Sequence, residues 1–371
     1  MFPASLLYLN IYFESIGFSA TQIGLMNSVA RGLAILILPI WGMLADYFGA
    51  NKKALMLVLG GTITFMLSFL LTETYIIVFV LYLFYTIFWS PGESLSDAMV
   101  LNHLKEKSNE YGKIRVWGSA GYMATVIPFG FIIEQTQAQM LFFIAALVLF
   151  CNLVVVSRLP RSNKTIEVAS LSDFKIILKN KKLFRFLVLI LLVQAPLRAN
   201  FIYFPIFFTE VGGGETLLAV GMVLAAGSEI FFFQKSDKFF DYFSSKNIFT
   251  LAAIFFAIRW LLIALFPVPN ILIASQLLHG ITFGLFHVTT VYYISSIVDD
   301  AFKATGQNIY ASTISISTVI SSLTGGIIYD NLGGANMYLL GGLISLLAGL
   351  GCYFSLFVKK PNQSQNVKLT E

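Results

Sequence analysis

Charged residues are scarce in this chain of 371 residues. They make up 12% of the sequence, whereas hydrophobic residues make up 57%. Soluble globular domains carry about 25% charged residues, so the composition excludes an ordinary soluble domain. Crossing a bilayer as a helix takes roughly 20 apolar residues. The long Leu, Ile and Phe runs lack alternating polarity, which favours membrane-spanning helices over a closed barrel.

Cysteine and histidine are also rare. Cys151 and Cys352 lie within apolar runs, at a spacing typical of neither a disulfide framework nor a metal site. The three histidines and these two isolated cysteines supply no nucleophile–base pair or metal cluster. The glycine run at 212–214 is not followed by Lys-Ser/Thr, so it is no phosphate-binding loop. We therefore expect no enzyme activity, no metal and no nucleotide hydrolysis.

The apolar runs predict twelve spans and hence an all-α membrane protein. The first run is short, because only about a dozen apolar residues precede Glu14, fewer than the roughly 17 that a crossing needs. We expect that the first helix lacks its N-terminal half. The predicted spans are 1–13, 21–45, 54–72, 75–101, 114–133, 139–158, 184–208, 217–234, 248–266, 270–297, 307–328 and 337–358.

Basic residues outside the spans all fall on one side of this pattern. Of the 24 Lys and Arg residues, Arg31, Arg198 and Arg259 lie deep inside spans, and all the others lie in alternate loops, in the tail or at the span ends next to these loops. Basic loops stay in the cytoplasm, which predicts a cell-membrane protein with both termini cytoplasmic in the complete chain. A pI near 9.0 then reflects loop anchoring, and no nucleic-acid partner is expected. The opposite loops carry Glu14, Glu73, Glu134, Glu210, Glu215 and Asp330.

One long polar connection divides the chain into two halves. We predict an N-terminal six-helix bundle at 1–158, a cytoplasmic linker at 159–183, a C-terminal six-helix bundle at 184–358 and a cytoplasmic tail at 359–371.

An internal repeat supports this division. Asp46-Tyr47-Phe48 recurs 195 residues later at Asp241, and Gly112 recurs 194 residues later at Gly306. A direct repeat is typical of two bundles related by an axis along the membrane normal, with the substrate site between them.

The loop from Gly42 to Lys53 contains a carboxylate at the end of a helix (Asp46), a glycine after that helix (Gly49) and a pair of lysines (Lys52 and Lys53). Glycine allows close helix approach, and a carboxylate can cap a helix N-terminus. A solvated turn is the alternative interpretation. The string resembles the signature loop of the major facilitator superfamily, which implies that Asp46 gates inward opening. The residues of this predicted gating loop are Gly42, Asp46, Gly49, Lys52, Lys53 and the repeat Asp241.

The string from Tyr111 to Tyr122 resembles the fifth-span entry of the oligosaccharide–proton symporters and of the phenylpropionate and nucleoside permease-like branch. This resemblance implies that Arg115 pairs with Asp97 and that Tyr122 stacks on the substrate. Guanidinium forks and aromatic faces suit hydroxylated or planar ligands. The alternative is that Arg115 anchors its span at the cytoplasmic interface.

A third match lies in the second half, where Arg259 and His279 are spaced like the proton-coupling Arg and His of the oligosaccharide–proton symporters. The symporter Glu three residues after the His is Thr282 here, so we expect Glu229 to supply the carboxylate. Ionisable groups inside spans are costly and usually line a polar pathway with a partner. The alternative is a permanent network of Arg31, Glu229 and Arg259 that only holds helices together.

The resemblance implies a monomeric secondary transporter in the lipid bilayer, which works by alternating access with the proton as coupling ion and no other cofactor. Its substrate would be a small polar solute such as a sugar or oligosaccharide, a nucleoside or an aromatic acid. Arg31 and Arg198 would add to the substrate site, and the surplus of arginine over carboxylate in the spans favours an anionic or hydroxylated solute. A proton-coupled drug exporter of the same fold and a non-transporting sensor are the alternatives.

Alanine at Asp97 or at Arg115 is expected to raise the apparent dissociation constant for substrate, because each removes one predicted contact. Equilibrium binding to the purified variants measures this. Wild-type affinity in both variants would leave the two residues as structural anchors.

Overall fold

The computed structural model describes residues 2–47, 51–104, 111–159, 181–298 and 303–355, and these residues form helices without any strand. Ten segments among them are long and apolar enough to cross a membrane. The prediction of a helical membrane protein is confirmed. The ten segments are Ala20–Leu44, Lys52–Leu71, Tyr75–Asp97, Met140–Arg158, Lys182–Glu210, Glu215–Ser236, Ser245–Leu265, Pro269–Ile297, Thr305–Leu332 and Gly334–Phe354.

Seven helices occupy the positions of the first six predicted spans. The first helix has 14 residues, in line with its short apolar run. The helices are α1 (Phe2–Ser15), α2 (Ala20–Tyr47), α3 (Asn51–Ser68), α4 (Tyr75–Trp89), α5 (Gly92–Leu104), α6 (Tyr111–Gln135) and α7 (Met140–Arg158).

The predicted span 75–101 is divided into α4 and α5 at Pro91. Proline has no N–H, so the carbonyl oxygen of Ile87 loses its usual helical partner. The indole Nε1–H of Trp41 on α2 donates to this oxygen at 2.8 Å. Backbone groups freed inside a membrane must find such a partner, and Trp41 supplies it here.

The second half contains α8 (Lys181–Glu210), α9 (Glu215–Tyr242), α10 (Ser245–Leu265), α11 (Pro269–Ala274), α12 (Phe286–Ile297), α13 (Lys303–Leu332) and α14 (Gly334–Ser355). A 3₁₀ turn at Ser275–Leu278 and a π-helical segment at Gly280–Leu285 join α11 to α12. The predicted span 270–297 is therefore one crossing with an irregular middle. π-Helical segments of this kind are frequent at functional sites.

The chain packs as two compact units. The first comprises the described residues within 1–169, 198–220 and 318–334, and the second those within 170–197, 221–317 and 335–371. Residues 198–210 of α8 and 318–332 of α13 thus pack with the first unit. The predicted bundle boundaries at 158 and 184 remain a prediction.

Aromatic rings form the centre of the first unit. The ring of Phe13 packs edge-on against Phe69 and Tyr82, each with a centroid separation of 5.6 Å. Phe142 on α7 packs edge-on against Tyr12 at 4.6 Å. In a bilayer, helices associate through close packing more than through expulsion of water, so these contacts hold α1, α4 and α7 together.

The second unit has its own aromatic centre. Phe249 on α10 contacts Phe186, Phe286 and Tyr293. Trp260, one turn after the stacked ring of Phe256, is fully buried. This packing fixes the face of α10 that carries Arg259, the residue preceding Trp260.

Phe142→Ala is expected to lower the free energy of unfolding by about 3 kcal/mol, the usual cost of deleting a buried aromatic ring. Phe143→Ala is the matched control, because Phe142 is 0% exposed whereas Phe143 is 55% exposed. Denaturation in detergent micelles measures both. Equal losses would contradict the assignment of Phe142 to the core.

Candidate functional site

Three elements of the second unit bring ionisable side chains together. Glu229 lies on α9, Arg259 on α10, and His279 at the junction of the 3₁₀ turn and the π-helical segment. The side chain of His279 is 8% exposed and that of Glu229 25% exposed. Arg259 is 1% exposed, so its buried charge would be costly without hydrogen-bonding partners.

Gly280 lets α9 approach the π-helical segment. A Cβ atom at this position would overlap the backbone of Ser228. The N–H of Gly280 donates to Ser228 Oγ at 2.9 Å. Glu229 is the next residue of α9, so this contact fixes the carboxylate beside His279.

The guanidinium of Arg259 donates to three neutral acceptors. Its Nη2 donates to Gln276 Oε1 at 2.6 Å. Its Nη1 lies 3.0 Å from His279 Nδ1 and 3.4 Å from Thr282 Oγ1. The guanidinium carbon also lies 5.0 Å from the ring centroid of Trp260, a cation–π contact. Among the described residues, these contacts stabilise the buried cation through Nη1 and Nη2 without direct contact to a carboxylate, and Nε has no hydrogen-bond partner.

The contact with Arg259 determines the tautomer of His279. Arginine has N–H donors and no acceptor, so Nδ1 of His279 must accept and carries no hydrogen. The ring is then neutral, with its hydrogen on Nε2. That atom lies 3.9 Å from Glu229 Oε2. The polar order is therefore Arg259, His279, Glu229, with an Nη1 hydrogen of Arg259 directed at His279 and the Nε2 hydrogen of His279 on the side of Glu229.

The two remaining intramembrane arginines lie in the first unit. Arg31 is half-buried on α2, and its Nε is buried without a hydrogen-bond partner among the described residues. Arg198 lies on α8, with its guanidinium carbon 5.4 Å from the ring centroid of Phe201, and it makes further contacts. The two arginines therefore differ in how far their polar groups are satisfied.

The predicted substrate pair is described in part. Asp97 on α5 and Tyr122 on α6 are both half-buried. The side chain of Arg115 lies outside the described residues, so the pairing of Arg115 with Asp97 remains a prediction.

The predicted gating loop is also described in part. Gly49 and the side chains of Asp46 and Asp241 lie outside the described residues. Among the described residues, no atom lies within 4 Å of a Cβ built at Gly42, so a close helix approach at this glycine remains a prediction. Gly42 is exposed.

The two lysines of that loop differ in their contacts. Lys52 donates from Nζ to the carbonyl oxygens of Ser157 and Leu159, each at 2.6 Å. It thereby caps the last turn of α7, where carbonyls lack helical partners and a cation is favourable. Lys53 is exposed. We infer a structural contribution of Lys52 that the loop motif did not predict.

Gln276 is the functional neighbour that sequence reasoning missed. It is 1% exposed and makes the shortest of the contacts to Arg259. An uncharged amide inside an apolar span was the available signal. Its spacing from Arg259 along the chain did not reveal that the two side chains meet.

The fold agrees with the comparisons with known proteins. The model of the MFS_1 like family matches residues 2–340. The chain belongs to this family. It is therefore a multi-pass membrane transporter of the major facilitator superfamily and not an enzyme, as the sequence motifs predicted.

Individual members resemble the chain over most of its length. It is 28% identical to the protein named Uncharacterized transporter YwbF of Bacillus subtilis (strain 168), over 93% of this chain and 87% of that protein. It is 27% identical to the Maltose permease of Geobacillus stearothermophilus, over 84% and 79%. The crystal structure of nucleoside transporter NupG matches with a TM-score of 0.81 at 16% identity, over 96% of this chain and 98% of that one, which shows a shared fold.

Gln276→Met is expected to lower the free energy of unfolding of this transporter by about 2 kcal/mol, because it removes a hydrogen bond to a buried charged group. Thr282→Val should cost less than about 1 kcal/mol, since its contact with Arg259 is long, at 3.4 Å. Chemical denaturation of the two purified variants compares them. The reverse order would contradict the assignment of Gln276 as the main acceptor.

Proposed function

We propose that this transporter couples solute uptake to proton entry and that Glu229 carries the proton. The observation that supports this most directly is the contact of Arg259 with Nδ1 of His279 at 3.0 Å. While that contact holds, His279 cannot take a second proton, because its acceptor nitrogen is occupied by an arginine hydrogen. Glu229 is then the group of the cluster whose charge can change.

The surroundings of Glu229 suit this role. Its side chain is more exposed than that of His279, 25% against 8%, so a proton can reach and leave it more readily. It faces the Nε2–H of His279, and the fixed charge of Arg259 lies behind the ring. A movement of α9 relative to α10 would change these distances and therefore the proton affinity of Glu229. Such a difference between two conformations is what coupling requires.

For the substrate, we propose a small hydroxylated solute, with saccharides and nucleosides as the first candidates. The similarity to a maltose permease and the fold shared with a nucleoside transporter support this class. Two side chains able to bind hydroxyl groups inside the spans are the half-buried Arg31 and Tyr122. The proposed substrate residues are Arg31, Asp97, Arg115, Tyr122 and Arg198.

The transport cycle proposed for the chain is alternating access by a monomer in the cell membrane. The bundles at 1–158 and 184–358 would move about the central site, with Asp46 and Asp241 at the cytoplasmic gates and both termini of the complete protein in the cytoplasm. The proton is the coupling ion in this proposal.

Adding the correct solute to lightly buffered, energy-depleted cells that express the protein should make the medium more alkaline, because protons enter together with the solute. A panel of sugars, nucleosides and aromatic acids identifies the class. Glu229→Gln should abolish the alkaline shift and uphill accumulation while it spares exchange of labelled solute, since the amide cannot exchange a proton at neutral pH.

Glu73→Gln is the matched control, because Glu73 is exposed in a loop. Its alkaline shift should equal that of the wild type. Uphill accumulation by Glu229→Gln at the wild-type level would remove Glu229 from the coupling mechanism. An acid shift on solute addition would reverse the proposed direction of proton movement.

A further inference from the structure

The irregular span contains a second histidine, His287, which the proposed coupling mechanism does not use. It is half-buried on α12, eight residues after His279 and about 12 Å further along the span at 1.5 Å per residue. Imidazole is the side chain whose charge ordinarily changes near neutral pH. Ionisable groups inside a span are costly and usually mark an ion or proton pathway, so the contacts of His287 indicate what it does.

A stack of three rings connects this residue with His279. The ring centroid of Phe283 lies 5.2 Å from that of His279 and 5.5 Å from that of His287. The planes are nearly parallel, with angles of 15° and 17°. Phe283 has no ionisable group, so the stack aligns the two imidazoles and also separates them. A proton therefore does not pass directly from one imidazole to the other.

The two imidazoles differ in their hydrogen-bond partners. Nδ1 of His279 accepts from the guanidinium of Arg259, which leaves no place for a second proton while that contact holds. Nδ1 of His287 lies 3.2 Å from the hydroxyl oxygen of Tyr310 on α13. A hydroxyl both donates and accepts, so this contact persists in either protonation state. When Nδ1–H donates to Tyr310, the lone pair of Nε2 is available for a further proton.

The carboxylate of Glu229 packs against the turn that precedes His287. A Cβ built at Gly284 would lie 3.4 Å from Cγ of Glu229. A side chain larger than a methyl group at this position would compete with the carboxylate for space. Gly284 precedes His287 by three residues, which is about one helical turn.

Contacts further along the two elements give the direction from Glu229 to His287. Phe240 on α9 contacts Tyr292 on α12, with a centroid separation of 5.2 Å. The two elements thus run side by side in the same direction, from Glu229 at Gly284 to Phe240 at Tyr292. His287 lies between these two levels. It is therefore on the basic-loop side of Glu229, which the sequence predicts to be cytoplasmic.

The surrounding charges favour a proton on His287 once Glu229 has lost one. The charged and titratable side chains that bear on it are Glu229 and Lys235 on α9, Arg259 on α10 and Tyr310 on α13, together with His279 on its own span. Lys235 is exposed, and Arg259 is bound to the imidazole at the other end of the ring stack. A newly formed carboxylate on Glu229 attracts an imidazolium one turn away.

We propose that His287 is the relay that takes the proton from Glu229 toward the basic-loop side. This rests on the proposed coupling by Glu229 and names the next group in its proton pathway. The O–H bond of the Glu229 carboxyl group breaks and, through intervening water, an N–H bond forms at Nε2 of His287. The imidazolium then passes this proton to water on the basic-loop side. The products are a carboxylate on Glu229 and a neutral imidazole, ready for the next cycle.

Time-resolved infrared spectroscopy of the full chain in lipid nanodiscs, after a jump to higher pH, tests this step without any substrate. The decay of the protonated-carboxyl band that Glu229→Gln removes reports the deprotonation of Glu229. His287→Gln is expected to slow this decay about a hundredfold, the lower end of what a positioned proton acceptor contributes. Added imidazole should restore the rate. His103→Gln, which changes an exposed histidine on α5, should leave the decay unchanged.

A wild-type decay in His287→Gln, or a slow decay that imidazole does not accelerate, overturns the relay alone. The absence of any Glu229 band contradicts the proposed coupling and the relay with it, so the two failures are distinguishable.

Should His287→Gln fail to fold, ring-nitrogen magnetic resonance of the histidine-labelled wild type decides, because the chain has three histidines. On acidification, His103 and His287 should each gain a second ring hydrogen, whereas His279 keeps one. The His103 signal is identified by its loss in His103→Gln. Titration of His103 alone overturns the proposal.

Discussion

A polar group without a partner inside the hydrocarbon layer is costly, and this constraint organises the functional part of the molecule. It explains why the buried charge of Arg259 is surrounded by Gln276, His279 and Thr282. These acceptors are neutral, so Nη1 and Nη2 of the arginine have partners without consuming the carboxylate of Glu229. The chain thereby keeps a permanent cation and a titratable acid in the same region without locking them into one ion pair.

The same constraint accounts for the irregular middle of the span 269–297. A regular α-helix advances 100° per residue, which fixes where successive side chains point. The 3₁₀ turn and the π-helical segment change this spacing, and Gln276, His279 and Thr282 then all reach one guanidinium. Glycine at position 280 completes the arrangement, because it admits α9 close enough for Glu229 to lie near the imidazole.

Helical architecture and membrane class could be predicted from the sequence, because apolar run lengths reflect bilayer thickness directly. The spacing of Arg259 and His279 pointed to their contact. The contact of Arg259 with Gln276 was missed, because spacing along the chain does not say which faces of α10 and the irregular span meet. Gly42 likewise permits a close approach without requiring a neighbour, and no described atom lies within 4 Å of a Cβ built there. The predicted span 75–101 is divided at Pro91, and the sequence did not reveal that Trp41 on another helix donates to the carbonyl oxygen that this proline leaves without a partner.

The Trp41 contact also constrains the order in which this pair can change during evolution. If Pro91 is replaced first, the new N–H can join the indole at the Ile87 carbonyl, because an oxygen with two lone pairs accepts two donors. If Trp41 is lost first, that oxygen has neither helical nor side-chain donor in the described structure. Lineages that retain the proline should therefore retain an N–H donor at position 41, whereas lineages without it are free to vary there.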